Sequence, residues 1–225
     1  MVGTYIDMQD RIADEIDDSD VAPQIRGAIQ SAIQLHRSKR FFFNQKIATF
    51  YLTAGQEYYG AADLADIPRL IAIDAMAVDL DGAKVAVTPA DFATIDANQS
   101  GVLSGDPYNC AYYNEQIRMY PIPNARRAVT MAYHCQLPAL VNDTDTNAWM
   151  TDGELLIRQC AKRLLAMDSI HEPEIAQAAA PLEQEALDML QAETRKRMSN
   201  DRLRTELPGL IRHKGFSILT AGFRG

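Results

Sequence analysis

The sequence has no glycine-rich phosphate loop, no apolar run long enough to cross a membrane and few cysteines. Each absence removes a class of function. Gly101-Val102-Leu103-Ser104-Gly105 is the nearest approach to a phosphate or nucleophile loop. It lacks the lysine of a P-loop and the nucleophile position of a hydrolase elbow. The missing apolar run excludes a spanning helix. Cys110, Cys135 and Cys160 are odd in number and lack CxxC spacing, so they read as buried, reduced thiols of a cytosolic protein. His36, His134, His171 and His213 are scattered without ligand spacing, and each is expected to be a satisfied polar residue rather than a zinc ligand. Asp79 and Asp81 flank a turn and have no partner acid or base. Internal repeats and low-complexity tracts are missing too. No catalytic residues, no cofactor and no metal are therefore expected, and the reading moves toward assembly.

What is present is an ordinary globular composition, 47% hydrophobic and 23% charged. The first sixteen residues are acidic and amphipathic, so no signal peptide is expected there. The net charge of −8 is unevenly spread. From Arg195 onward eight basic residues face only Asp201 and Glu206, a net +6, which leaves −14 on the body. Such a body repels nucleic acid, while the tail attracts acidic surfaces.

The pattern of elements is α+β. Thr4-Tyr5-Ile6-Asp7 has the form of a capping box, followed by Met8, Ile12 and Ile16 on one helix face. Asp17 to Asp20 breaks that helix and can cap the next. The second helix carries Val21, Ile25, Ala28, Ile29, Ala32 and Ile33, with Pro23 in its first turn. An aromatic-rich strand is expected near Phe41-Phe42-Phe43, and another from Ile47 to Thr53. Leu70 to Leu80 and Val85 to Val87 flank the hairpin turn Asp81-Gly82. Thr88-Pro89-Ala90-Asp91 is read as the cap of a short helix, with Pro89 at its first position.

Tyr108 to Leu137 is the stretch around which the rest is organised. It reads as three antiparallel strands turning at Asn114-Glu115 and at Pro121-Ile122-Pro123-Asn124. Val129, Met131, Tyr133, Cys135 and Leu137 alternate with polar or small residues, the clearest strand pattern in the chain. Beyond it, Thr151-Asp152-Gly153-Glu154 reads as a capping box. The helix behind it carries Leu156, Ile157, Cys160, Leu164 and Met167. Its partner carries Ile175, Ala178, Ala179, Leu182, Ala186, Met189 and Leu190, and Pro181 should kink it. The expected division is a helical hairpin over 1–40, a β-domain over 41–140, a second hairpin over 141–198 packing on the first, and an extended docking tail over 199–225.

Two segments invite a functional reading. Asp143, Asp145, Asn147, Thr151 and Glu154 fall on liganding positions of an EF-hand-like loop. Its sixth position is Ala148 rather than glycine and a strand precedes it, so it reads instead as a polar turn. The basic tail could hold nucleic-acid phosphates or dock on an acidic protein surface, or be merely a solvated end. Its aromatic content, Phe216 and Phe223, is thin for base stacking. Leu210, Ile211, Phe216, Ile218 and Leu219, interspersed with Arg202, Arg204, Arg212 and Lys214, suit a protein groove better.

The order of elements resembles the head-to-tail adaptor (connector) proteins of tailed bacteriophages, short-tailed ones especially. The residues that carry it are Phe41-Phe42-Phe43, Ala54 to Tyr58, Gly105-Asp106-Pro107, Ile117 to Pro123, Ala132-Tyr133, Leu137 to Leu140 and Asn147-Ala148-Trp149. The resemblance covers about residues 4 to 195, and the strand lengths from Ile67 to Val87 depart from it. It implies a non-enzymatic virion protein: a helical bundle joined to a small β-domain, in a ring that is commonly twelve-membered. Its implied partners are the portal protein, reached by the C-terminal extension, tail or nozzle proteins, and further copies of itself. DNA passes through the ring without specific binding, and assembly takes place in the host cytoplasm. The rival readings are a nucleic-acid-binding protein using its basic tail and an unrecognised hydrolase.

Overall fold

The computed structural model describes residues 3–17, 21–65, 67, 69–97 and 103–198. The fold is α+β. Helices α1 (Tyr5–Ile16) and α2 (Ala22–His36) lead into strands β1 (Gln45–Tyr51), β2 (Tyr58–Tyr59), β3 (Leu70–Leu80) and β4 (Ala83–Pro89). A short α3 (Phe92–Ala97) precedes β5 (Ser104–Gly105), β6 (Asn109–Tyr113), β7 (Gln116–Tyr120), β8 (Ile122–Pro123) and β9 (Ala128–Cys135). The chain then returns to helix in α4 (Glu154–Asp168) and α5 (Pro173–Met198). Among the described residues no helix is long and apolar enough to cross a membrane.

The helices form as their residues dictate. Thr4 Oγ1 accepts from the Asp7 amide at 3.3 Å and Asp7 accepts from the Thr4 amide at 2.8 Å, so the first capping box is complete. Asp17 ends α1 in the left-handed conformation, at φ 53°. The cap expected for α2 from Asp17 to Asp20 is not its N-cap: Val21 holds that position without a side-chain bond, and 18–20 lie outside the described residues. Tyr5, Met8, Ile12, Ile25, Ile29, Leu156, Ile157 and Cys160 fill one core with Trp149. Burying each large aliphatic side chain there contributes about 1.5–3 kcal/mol.

The second hairpin departs from expectation at two points. The box at Thr151 does not form, because α4 begins at Glu154; Glu154 is thus the first helical residue, too early to reach back to Thr151. It pairs instead with Arg158 at 2.8 Å and Arg11 at 3.2 Å. Pro181 lies inside α5, which continues as helix on both sides of it. Its inward stripe is Ala176, Ala179, Glu183, Ala186, Leu190 and Thr194, and the three alanines in it suit close packing on α4. Leu182 and Met189 fall off this stripe and are exposed.

The sheet has the order β1-β9-β3-β4-β6-β7-β2. Asn114-Glu115 and Asp81-Gly82 make the two expected hairpins, with positive φ at both central residues of each. The three-strand meander is corrected. β9 leaves β7 after the Pro121–Asn124 segment and inserts between β1 and β3. Pro121 and Pro123 offer no N–H to a ladder, and β8 makes only a two-residue parallel pairing with β5. One pairing in the large sheet, β4 with β6, is parallel, and the connection that permits it contains α3. The helix expected from Pro89 starts at Phe92, and Pro89 ends β4. Thr88 and Ala90 donate to Tyr108 and Cys110 there, so Pro89 falls between bonding positions and its missing N–H costs nothing. Met76, Val78, Val129, Met131, Tyr133, Ile117 and Met119 lie in the separate core of the sheet.

Phe41 to Phe43 is not a strand. Phe42–Asn44 is a single 3-10 turn, and Phe41 and Phe43 meet Trp149 edge-to-face in the helical core, at centroid distances of 5.7 and 5.1 Å. Buried Asn44 ties the turn, accepting from the Phe41 amide and donating to the Lys39 carbonyl, each at 2.9 Å. Arg40 and buried His134 both reach Asp74, at 3.3 and 2.7 Å, so one carboxylate joins the turn to the sheet.

Candidate functional site

The nine residues assigned to docking, Arg202, Arg204, Leu210, Ile211, Arg212, Lys214, Phe216, Ile218 and Leu219, all lie outside the described residues. What is described is their root. The last turn of α5 carries Arg195, Lys196 and Arg197, a run of cations at the negative end of the helix dipole. Arg197 pairs with Glu193 at 2.8 Å and lies over the Phe42 ring, 3.8 Å from its centroid. Thr194 accepts from the Phe42 amide at 3.1 Å. The root of the tail is therefore pinned to the turn that joins bundle and sheet.

Beside this root runs an open groove of about 400 Å³. Leu155, Leu156, Ala186, Met189 and Leu190 make its apolar floor, with Asp152, Glu193 and Lys196 among its polar lining. Helical spacing placed Met189 in the core; the unexpected observation is that it is 60% exposed. The outer face of the sheet also exposes apolar residues: Ile47, 76% exposed, and Tyr51, with Arg126 over its ring at 4.2 Å, sit at its β1 edge, and Ala75, Ala77, Ala128, Thr130 and Ala132 continue it inward.

The Asp143 loop spends its oxygens on the protein. Asp143 pairs with Arg26, and Asp145 accepts from the Val141 and Asn142 amides, both at 2.8 Å. Those two bonds hold the Asp145 carboxyl below its ordinary range. Asn147 donates to the Pro138 carbonyl at 2.8 Å and accepts from the Trp149 amide at 2.9 Å. The loop is a polar turn that fastens α1 and α2 to the start of the second hairpin. Asp79 likewise serves its turn, accepting from the Gly82 amide at 2.7 Å.

The histidines divide. His171 is exposed between α4 and α5, and His213 lies outside the described residues. His134 sits against Asp74. His36, at the end of α2, faces Cys160 of α4 and Glu183 of α5. Its Nε2 is 3.6 Å from Glu183 Oε1, beyond a hydrogen bond, and neither ring nitrogen has a hydrogen-bond partner. Arg163 holds the other Glu183 oxygen, Nε to Oε2, at 2.6 Å. Burial and then Lys39 push His36 below the usual imidazole range, against Glu183. Burial raises the Glu183 carboxyl, but Arg163 prevails and holds it below the ordinary value. The Cys160 thiol is pushed up to about 12, first by burial and then by Glu183. Scattered sequence positions concealed this cluster, because each residue comes from a different helix. Cys110 and Cys135 are buried and free in the sheet core.

The model of a protein family described as SU10 adaptor protein matches residues 3–206. No curated protein matches the chain.

Proposed function

The chain belongs to the SU10 adaptor protein family, that of phage head-tail adaptors, and from this premise we propose that it is a ring subunit joining the portal to the tail. In this reading the ring continues the DNA channel, commonly with twelve copies, and contributes no catalysis. The divisions 1–40, 41–140 and 141–198 act as bundle, inserted sheet and bundle. Residues 199–225 dock on the portal, with Arg202, Arg204, Arg212 and Lys214 pairing with carboxylates and Leu210, Ile211, Phe216, Ile218 and Leu219 entering a groove. Tail or nozzle proteins bind the opposite end of the ring.

The observation that carries the docking step is the charge reversal at the end of α5, from −14 on the body to +6 on the tail. An acidic body passes DNA without holding it, while a basic arm seeks an acidic protein surface. The exposed apolar residues Ile47, Tyr51 and Met189 are surface that neighbouring copies can cover. Head-to-tail contacts of this kind close into a ring when the rotation permits.

Deleting residues 201–225 tests the docking step. The truncated protein should remain folded and soluble yet fail to decorate portal-bearing heads. Changing Arg202, Arg204 and Arg212 together to alanine should weaken attachment and make it less salt-sensitive. Normal occupancy of heads by the truncated protein would place the contact on the folded body instead. Tight, tail-dependent DNA shifts at physiological salt would favour the nucleic-acid reading.

A further inference from the structure

We propose that His36, Cys160 and Glu183 form a three-ligand site for a divalent cation of the zinc class, which staples α2, α4 and α5 together. This site is independent of the docking reading. One ligand atom from each residue lies within 4.8 Å of the others. Ligands bound tetrahedrally to zinc at about 2.0–2.3 Å stand roughly 3.3–3.8 Å apart. The His36–Glu183 edge is already 3.6 Å. Small rotamer changes at Cys160 close the rest.

The second observation is the imidazole itself. His36 is 4% exposed and has no hydrogen-bond partner on either nitrogen. A buried polar group without a partner is rare and calls for an occupant. The side-chain oxygen that its Nε2 approaches belongs to Glu183, beside the sulfur of Cys160. Nitrogen, sulfur and a single carboxylate select a borderline-soft cation over magnesium or calcium.

Arg163 is the charge that faces the site, with Lys39 near its edge. Arg163 Nε binds Oε2 of Glu183 closely, and its Nη2 makes longer contacts, 3.4 Å to Oε1 and 3.9 Å to the Cys160 sulfur, which a cation would displace. The guanidinium can therefore stay on one oxygen as an outer hydrogen-bond partner while the other ligates, an arrangement that fixes a metal-bound carboxylate. On loading, the Cys160 S–H bond breaks, its proton leaves to solvent and the thiolate binds the cation. Two anionic ligands then balance the divalent charge. Water completes the fourth position.

The test uses the full chain, stripped of metal with a chelator and titrated with Co²⁺. A thiolate-to-cobalt charge-transfer band and intense tetrahedral visible bands should saturate at one cation per chain. Cys160→Ser should abolish the charge-transfer band, and His36→Ala should lower affinity at least tenfold. Cys110→Ser and Cys135→Ser should leave both unchanged. Zn²⁺ at about one hundred times its Kd should raise Tm by about 5–10 °C in the wild type and not in Cys160→Ser. Should a variant fail to fold, the wild type decides: Zn²⁺ should protect Cys160 from slow maleimide labelling while leaving Cys110 and Cys135 as they were. Absence of the band, its survival in Cys160→Ser, or unchanged labelling of Cys160 overturns the site and leaves a packed polar cluster only.

Discussion

Replacing Arg118 by alanine should loosen α3 from the sheet and destabilise the β-region by about 3 kcal/mol. Arg118 is 2% exposed. Its Nε donates to Glu57 at 2.6 Å and its Nη1 to Asp96 at 3.2 Å, while the guanidinium lies over Phe92, 4.7 Å from the ring centroid. The Glu57 bond, short and nearly dry on the arginine side, contributes about 1.5–3 kcal/mol. Asp96 is mostly exposed, so that pair adds only a few tenths, on the order of 0.2–0.5 kcal/mol. The ring contact adds about 0.5–1 kcal/mol. Lysine should recover only part of the loss, since it keeps the charge but not the two-armed geometry. Urea unfolding followed by hydrogen exchange in β6 and β7 measures the effect, with a Tm drop of about 6–12 °C in parallel. The sole tryptophan, Trp149, belongs to the other core, so its fluorescence midpoint should stay in place if bundle and sheet unfold separately. An Arg118→Ala protein within about 0.5 kcal/mol of wild type, the range of ordinary surface changes, would refute the reasoning. So would an Arg118→Lys protein with wild-type stability.

Two further outcomes follow from the ionisable groups. Burial raises the Glu15 carboxyl, but Lys162 and Arg158 outweigh it and hold the group below its ordinary value. Its stabilisation is thus complete above the unfolded-state pKa and disappears as pH falls through the depressed one; the stability gap between wild type and Glu15→Gln should be flat above the ordinary glutamate range and close as pH falls below it. A gap that persists at the acid end shows that these ion pairs are not its source. Burial pushes Cys110 up to about 11 and Cys160 up to about 12, and raises Cys135 as well. At pH 8 the native protein should react with a disulfide reagent at none of its three thiols within minutes, and at all three in urea; rapid stoichiometric reaction of the native chain contradicts this burial.

What the sequence made legible was governed by local rules. Thr4 to Asp7 specified its cap, Asn114-Glu115 and Asp81-Gly82 specified their turns, and the α2 stripe from Ile25 to Ala32 specified its buried face. Strand partners were less accessible. Alternation shows that β9 is a strand but not that β1 and β3, far apart in sequence, are its neighbours. Capping signals were ambiguous where two elements compete: Pro89 suits a helix start as well as a strand end, and the parallel ladder to β6 decided the matter. Phe41 to Phe43 carried strand propensity that Trp149 overrode by tertiary packing. In α5, Leu182 and Met189 share an apolar period with Ala179 and Ala186, yet close approach to α4 turned the small residues inward. The docking residues were readable as charge and composition alone. The His36, Cys160 and Glu183 cluster was not readable, since only the packing of three helices brings it together.

The insertion of the sheet between the two helical hairpins has a consequence for synthesis on the ribosome. The bundle is closed by contacts such as Gln30 to the Leu140 carbonyl, 110 residues apart, and the Tyr5 amide to the Asp145 carbonyl. The first hairpin therefore emerges long before its cover exists. With elongation at about 5–20 residues per second, the interval between His36 and Leu165 lasts about 6–26 s, during which Ile12, Ile25 and Ile29 have no α4 to bury them. A sheet that pairs early reduces the cost of closing so long a loop, because β1 and β9 are direct neighbours and bring Asn44 and Gln136 back together. The nascent chain thus has a window for chaperone capture at its N-terminal hairpin, and α4, brought back within reach by the β1–β9 ladder, shuts that window.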